Sequence, residues 1–478
     1  MSLTAALSVA LSGIKTSTTA AQIISGNIAN AQTEGYTKKG LSLSAVSLGT
    51  DIGGVQISGY TRVTNAVLQR TLFNATSSEA NLGMLNGYMM QIQSMLDSTG
   101  DPPALTSTLN NFQASLIKYS SDPSNEIIGR TVVAEANNFA NTIRSISNQL
   151  ATLERDAKSD MTTSVSELNV LLQQVQNIND KITATLALKQ PIGNLQDERD
   201  VLISKIAEVA SINVLERHNG QIAIYTNSGL ALLDGQPQRF SVGVDGVTVM
   251  NAAGSDVTIA LTGGKLQAIT AFLSDTGEIA QLKSQLQNLV LMFVAETPSG
   301  NSFADVYNAA GIKPGELPDS FFKAVIDPDT GLPNIATFSV NPDLLNGTFS
   351  MKSTAATDLN NVLNSTNAAI VIIPGTPPTY DTSDTFQSIG LNVKTQTFSG
   401  ITATILSGFQ QIASSIQIRH ESVATQKQYY SITLSNQTGV NTDEELINLT
   451  NWQNSYAASA HVVSVIQKML DILQNMVR

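Results

Sequence analysis

The chain of 478 residues has no cysteine, so disulfides and thiolate metal sites are excluded and the fold must hold in any redox compartment. Charge is scarce as well. Asp, Glu, Lys and Arg make up 13% of the residues, against roughly 25% in ordinary globular chains, and a surface so poor in charge favours contacts with other proteins. What charge there is leans acidic, with 26 Lys and Arg against 38 Asp and Glu and a pI near 4.7. No basic cluster offsets this, which argues against a nucleic-acid partner. No run approaches the ~20 apolar residues of a membrane span. The apolar stretch 5–14 does not have the form of a secretory leader, because no positive residue precedes it and Lys15 follows it.

Motifs that carry chemistry are missing too. Thr262-Gly263-Gly264-Lys265 has the glycines of a phosphate loop, but Ile259 stands where its first glycine belongs and Leu266 where Ser or Thr would hold magnesium. Asp327-Pro328-Asp329-Thr330-Gly331 starts like a calcium loop, yet its twelfth position is Phe338 rather than a bidentate Glu; an ordinary turn is expected. Asp197-Glu198-Arg199-Asp200 reads as a capping and ion-pair cluster at a helix start. His218, His420 and His461 share no ligand spacing. Without a clustered acid, base or metal site, no enzyme, cofactor or metal is expected.

What the chain does have is two long, almost uncharged heptad patterns at its ends. Near the C-terminus, Leu449, Trp452, Tyr456, Ser459, Val463, Ile466, Leu470, Leu473 and Val477 recur at alternating steps of three and four. Thr442 and Glu445 have capping-box spacing ahead of them, with Asp443 and Glu444 at the positive end of the helix dipole. Near the N-terminus, Leu3, Leu7, Ala10, Ile14, Ser17, Ala21, Ile24 and Ile28 follow the same alternation, and Lys15 is the only charge before Glu34. A solvent-facing helix would be charged opposite its seam. These two read as partners surrounded by other helices; the alternative is that each docks separately on the globular body.

Asn27-Ile28-Ala29-Asn30, Thr33 and Gly35-Tyr36 resemble the N-terminal signature of the flagellar rod, hook and hook-associated proteins. Gly439-Val440-Asn441, Asp443-Glu444-Glu445, Leu449, Gln453, Tyr456 and Ala458-Ser459-Ala460 resemble the C-terminal signature of the same axial proteins. Phe338-Ser339-Val340-Asn341-Pro342-Asp343-Leu344 is similar to that family as well. Two departures stand out: Trp452 replaces the more usual Tyr or Phe, and only Phe321-Phe322 remains of a Gly- and Asn-rich stretch ending in paired Phe. The resemblance implies type III export without cleavage, terminal helices at the core of a tube, and a place at the junction between hook and filament. It also implies partners: copies of this chain in a ring or tube, hook protein on one side, a second hook-associated protein or filament protein on the other, and an export chaperone. A second class of function, an export-delivered adhesin or interaction protein on a helical stalk, stays open at this stage.

The expected fold is mainly α with inserted β, nested so that both ends return to one place. It comprises an N-terminal core helix (1–31), a helical domain with small β regions (32–296), an inserted β- and loop-rich outer domain (297–385), a return to the helical domain (386–445) and a C-terminal core helix (446–478). Within it, 36–65 reads as a β excursion and 131–188 as one rod. A shorter helix (196–210) follows the rod, then strands over 211–262, a helix over 264–295 and a last core helix near 399–436. The insertion is placed by its nine prolines and several glycines.

Overall fold

The computed structural model describes residues 3–48, 51–97, 104–296, 302–365, 371–373, 379–381 and 397–476. Residues 98–103 and most of 366–396 lie outside this description. The architecture is mainly helical with small antiparallel sheets, organised around one rod. This is α4 (Glu126–Ala187), whose 62 residues span about 93 Å at 1.5 Å per residue. Asn125 caps its start by accepting from the amides of Ile127 and Ile128, satisfying two of the helix's free donors. Every seam position from Val132 to Ile182 is buried, as the periodicity requires; Leu186, one step further, is exposed.

Around α4 pack α2 (Ala66–Leu96), α3 (Leu105–Ser121), α5 (Gly193–Val209), α6 (Gly264–Leu273) and α7 (Glu278–Val294), and α11 (Phe398–Thr438) runs along α2. The single helix expected over 264–295 is two. Ser274 to Gly277 closes a turn, with the Gly277 amide donating to the Ser274 carbonyl at 2.9 Å, and α7 restarts from it.

Two asparagines of α4 tie the small sheets to the rod. Asn179 donates to the Ile222 carbonyl and accepts from its amide (3.0 and 3.2 Å), and Asn169 treats Phe240 the same way (2.8 and 2.9 Å). Each amide side chain substitutes for a neighbouring strand. The strands concerned are β3 (Ile212–Glu216), β4 (Ile222–Thr226), β5 (Ala231–Asp234) and β6 (Gln236–Pro237), antiparallel in that order, and the hairpin of β7 (Phe240–Val242) with β8 (Val249–Asn251). Val247 and Thr248, expected in a strand, form a turn instead, because the Asp245 carboxylate accepts from both their amides.

The glycines of the Thr262–Lys265 motif serve a backbone crossing. Gly264 has φ +62°, and a Cβ there would lie 2.4 Å from the Val209 carbonyl carbon and oxygen. Only glycine fits so close an approach at positive φ.

Within the expected outer domain, residues 302–365 pack against the helical body. These residues form α8 (Phe303–Ala309), the two-residue strands β9 (Phe322–Lys323) and β10 (Ser339–Val340), α9 (Pro342–Leu345) and α10 (Ala356–Asn364); β11 (Val371–Ile373) and β12 (Thr379–Asp381) pair beyond them. The segment is not set apart from the body. Phe293 of α7 lies 5.5, 5.2 and 6.1 Å from the rings of Phe303, Phe322 and Phe338, and 5.0 Å from Phe398. Phe139 of α4 and Phe112 of α3 reach the same group. Proline and glycine content reported the loops correctly, but it carries no information on where the phenylalanines between them are buried.

The nested order is otherwise as expected. The terminal helices α1 (Leu3–Ala29) and α12 (Thr442–Met476) pack on each other, and β1 (Lys39–Leu48) with β2 (Asp51–Arg62) forms an antiparallel ribbon lying along α1.

Candidate assembly site: the terminal helix pair and its root

Asn27 reaches Glu445 at one end of the pair, and further along Gly13 meets Ser459. The two contacts lie 14 residues apart in both helices, so α1 and α12 run antiparallel in step. A Cβ on Gly13 would sit 2.7 Å from the Ser459 hydroxyl, so the missing side chain sets the closest approach. Gly13→Val is expected to splay the pair and speed amide hydrogen exchange through 3–24 and 448–470, while the melting of the helical body is unchanged; protection equal to the parent would contradict this role for Gly13.

On α1, Ile24 is buried, and Leu3, Leu7, Ile14, Ala21 and Ile28 are half-buried. On α12, Ile466 is buried at 5% exposure, and Leu449, Trp452 and Val463 are half-buried, but Tyr456, Leu470 and Leu473 are exposed, the last two at 37% and 48%. The expected seam is therefore covered only in part. Carrying the antiparallel step forward puts Leu3 opposite about residue 469, so Leu470 and Leu473 extend past the described end of α1. A second apolar stripe was missed from the sequence: Val462, Val465, Met469 and Ile472 are all exposed. Its signal was present, since these residues keep helical spacing on a face with almost no charge.

The signature residues gather at the root of the pair. Asn27, fully buried, donates to Glu445 Oε2 (2.8 Å) and to the Lys39 carbonyl (2.9 Å), and its Oδ1 accepts from the Tyr36 hydroxyl (3.0 Å) and the Lys39 amide (3.1 Å). Lys38 bridges Glu444 and Glu445 at 3.0 and 3.1 Å. Asn30 donates to the Gly26 carbonyl and accepts from Thr33, forming the turn that leads to Gly35 and Tyr36. Gly439 ends α11, and Val440 beside it is half-buried. Asp443, Glu444 and Gln453 are exposed.

The capping box expected from Thr442 and Glu445 is corrected here. Asn441 caps α12, accepting from the amides of Asp443 and Glu444, and the Glu445 side chain turns away to Asn27 and Lys38. A buried carboxylate gains more from an amide donor and a cation than from its own helix end. Burial pulls the Lys38 ammonium down, but hydrogen bonds to Glu444 and Glu445 outweigh this and its pKa ends above the ordinary lysine value. Its stabilising contribution is thus complete below that value and is lost only as pH rises through the raised folded pKa. Burial, then Asp197 and then Glu445, push the Tyr36 hydroxyl up.

The Asp197–Asp200 cluster does not cap its own helix, which starts at Gly193. Asp197 accepts from the Thr37 amide (3.1 Å), the Thr37 hydroxyl (2.8 Å), Arg62 Nε (2.8 Å) and the Lys39 ammonium, and Asp200 pairs with Arg62 Nη2. Arg199 is buried and donates to the Gly220 carbonyl at 2.8 Å. Lys39 also lies 3.7 Å from the centre of the Tyr36 ring.

The terminal helices are thus paired, carry uncovered apolar side chains and are rooted in a buried polar node on a helical rod. Residues 89–300 match the flagellar hook-associated protein FlgK helical domain, and 435–476 match the flagellar basal body rod FlgEFG protein C-terminal model. Flagellar hook-associated protein 1 of Bacillus subtilis (strain 168) is 24% identical over 504 residues, covering 94% of this chain and 93% of that protein. Its counterparts in Salmonella typhimurium and Escherichia coli (strain K12) are each 23% identical, with 98% of both chains covered. The structure of the flagellar hook junction protein FlgK from Burkholderia pseudomallei shares the fold, with a TM-score of 0.55 at 14% identity over 78% of this chain and 100% of that one. The chain is accordingly a flagellar axial protein, of a structural rather than enzymatic class, whose family assembles with other axial components. Within that class it belongs to the flagellar hook-associated protein 1 family.

Proposed function

We propose that this chain forms the junction between hook and filament of the bacterial flagellum, outside the cell, and that it is held there by its terminal helices. Copies of the chain pack side by side in a ring or tube, with hook protein on one side and a second hook-associated protein or filament protein on the other. Inside the cell an export chaperone accompanies it. The observation that carries this reading is the uncovered apolar surface of α12, where Val462, Val465, Met469, Leu470, Ile472 and Leu473 are exposed in the single chain. Exposed apolar area of this extent on one helix calls for a partner, and identical neighbouring helices present the matching face. No helix among the described residues is long and apolar enough to cross a membrane. The stalk-and-ligand alternative gives this surface no occupant.

Leu470→Asp tests it. Leu470 is partly wet in the single chain, so the isolated variant is expected to melt within a degree or two of the parent. In the assembly the new carboxylate would be buried without a partner, at a cost of several kcal/mol. The variant should be exported and then shed with later filament subunits into the medium, measured by immunoblot of flagella against supernatant. Normal retention on flagella would sink the seam assignment, and a strongly destabilised monomer would mean that α12 is fully packed on its own chain.

A further inference from the structure

The polar node at the root connects every element that could set the direction of the terminal helix pair. Asp197 belongs to α5, which is built into the body through buried Ile203 and Ile206. Its carboxylate holds Thr37 and Lys39, where the chain leaves α1 for β1, and Arg62, where β2 returns to α2. Lys39 in turn presents its backbone to Asn27 of α1, and Asn27 holds Glu445 of α12. The Lys38 amide donates to the Thr438 carbonyl at the end of α11. One buried carboxylate on the body thus reaches α1 in two steps and α12 in three.

We propose that Asp197 is a positioning latch that fixes the angle at which the α1–α12 pair leaves the helical body. The purpose of that angle, to present the apolar stripes to neighbouring copies, rests on the assembly reading above; the latch itself does not. Three features support the assignment. Asp197 faces two cations, Lys39 and Arg62, and Asp200 meets Arg62 at its Nη2, so two carboxylates balance two cations. Asp197 is itself buried, and the side chains of Lys39 and Arg62 are only 13% exposed, so solvent does little to loosen the contacts. Asp197 also carries more bonds from outside its helix than packing of α5 requires, since α5 is seated by its apolar face.

The absence of native cysteine makes the test direct. Spin labels on Thr18→Cys of α1 and Gln174→Cys of α4, both exposed, report the distance between the terminal pair and the body in the full-length monomer. The parent is expected to give one narrow distance distribution. Asp197→Asn and Asp197→Ala should broaden it at least twofold while the body's melting temperature stays within about 2 °C, and Asp197→Glu, which keeps the charge, should restore a single distance. If Asp197→Ala also lowers the melting temperature, Arg62→Gln decides: broadening at unchanged melting supports the latch, and a narrow distribution overturns it. A lowered melting temperature with an unchanged distance would make Asp197 merely a stabiliser of the fold and overturn the proposal, as would a parent distribution that is already broad. Shedding of Leu470→Asp is read on flagella and not on the monomer, so the assembly reading and the latch can fail separately.

Discussion

Removing residues 302–365 and bridging the gap with a flexible linker is expected to collapse the helical body rather than leave it standing. The segment lies late in the chain and is rich in turns, yet its rings complete the core. Phe112, Phe139 and Phe293 belong to helices that would remain, and each would lose its neighbours among Phe303, Phe321, Phe322 and Phe338. At about 2 kcal/mol for each large apolar side chain returned to water, three uncovered rings cost roughly 6 kcal/mol. That is a large share of the roughly 5–15 kcal/mol by which a whole domain is stable. The deletion variant should show a markedly lower and broader melting transition and bind a hydrophobic dye. A sharp transition near the parent's would show that 302–365 is a separable module after all.

The second large effect belongs to Asn27→Asp. In the parent, Asn27 directs its amide nitrogen at the Glu445 carboxylate and the Lys39 carbonyl. The substitution keeps the shape and replaces that donor by a second carboxylate oxygen, so two buried acceptors face a third at hydrogen-bond distance. An uncompensated buried charge costs about 3–5 kcal/mol, and Lys38 is already engaged by Glu444 and Glu445. At pH 7 the α1–α12 root should open, seen as fast hydrogen exchange in Leu3–Ala29 and Thr442–Met476, with the body's own exchange unaffected. Two carboxyls sharing one site force one pKa upward. Lowering the pH through that raised value protonates one of them and restores a donor, so protection of the terminal pair should recover as pH falls, opposite to ordinary acid unfolding. Slow exchange in both helices at pH 7 would show that the pair is held by its apolar seam alone.

How much was legible in advance depends on the distance over which each feature is decided. The seam of α4, the β excursion after α1, the strands around 211–262 and the two terminal helices are written in periodicity, and a repeat of three and four or of two residues is set by neighbours in the chain. Helix ends were legible to within a few residues for the same reason. The break in 264–295 was legible as well, in Ser274 to Gly277, but the apolar residues on either side suggested continuity.

The sequence by itself determined that this is a charge-poor, cysteine-free, mainly helical chain whose two ends are made to pack and whose signatures belong to axial proteins. Its local chemistry could not say where Glu445 points, because Asn27 lies 418 residues away. Nor could it say that Asp197 serves Thr37 across 160 residues rather than its own helix. The burial of residues 302–365 and the exposure of Leu470 past the described end of α1 were likewise decided only in three dimensions. A side chain's hydrogen-bonding capacity is a property of its residue, but its partner is chosen by whichever element tertiary packing brings within about 3 Å. Period and composition are read along the chain, whereas partners and cover are set across it.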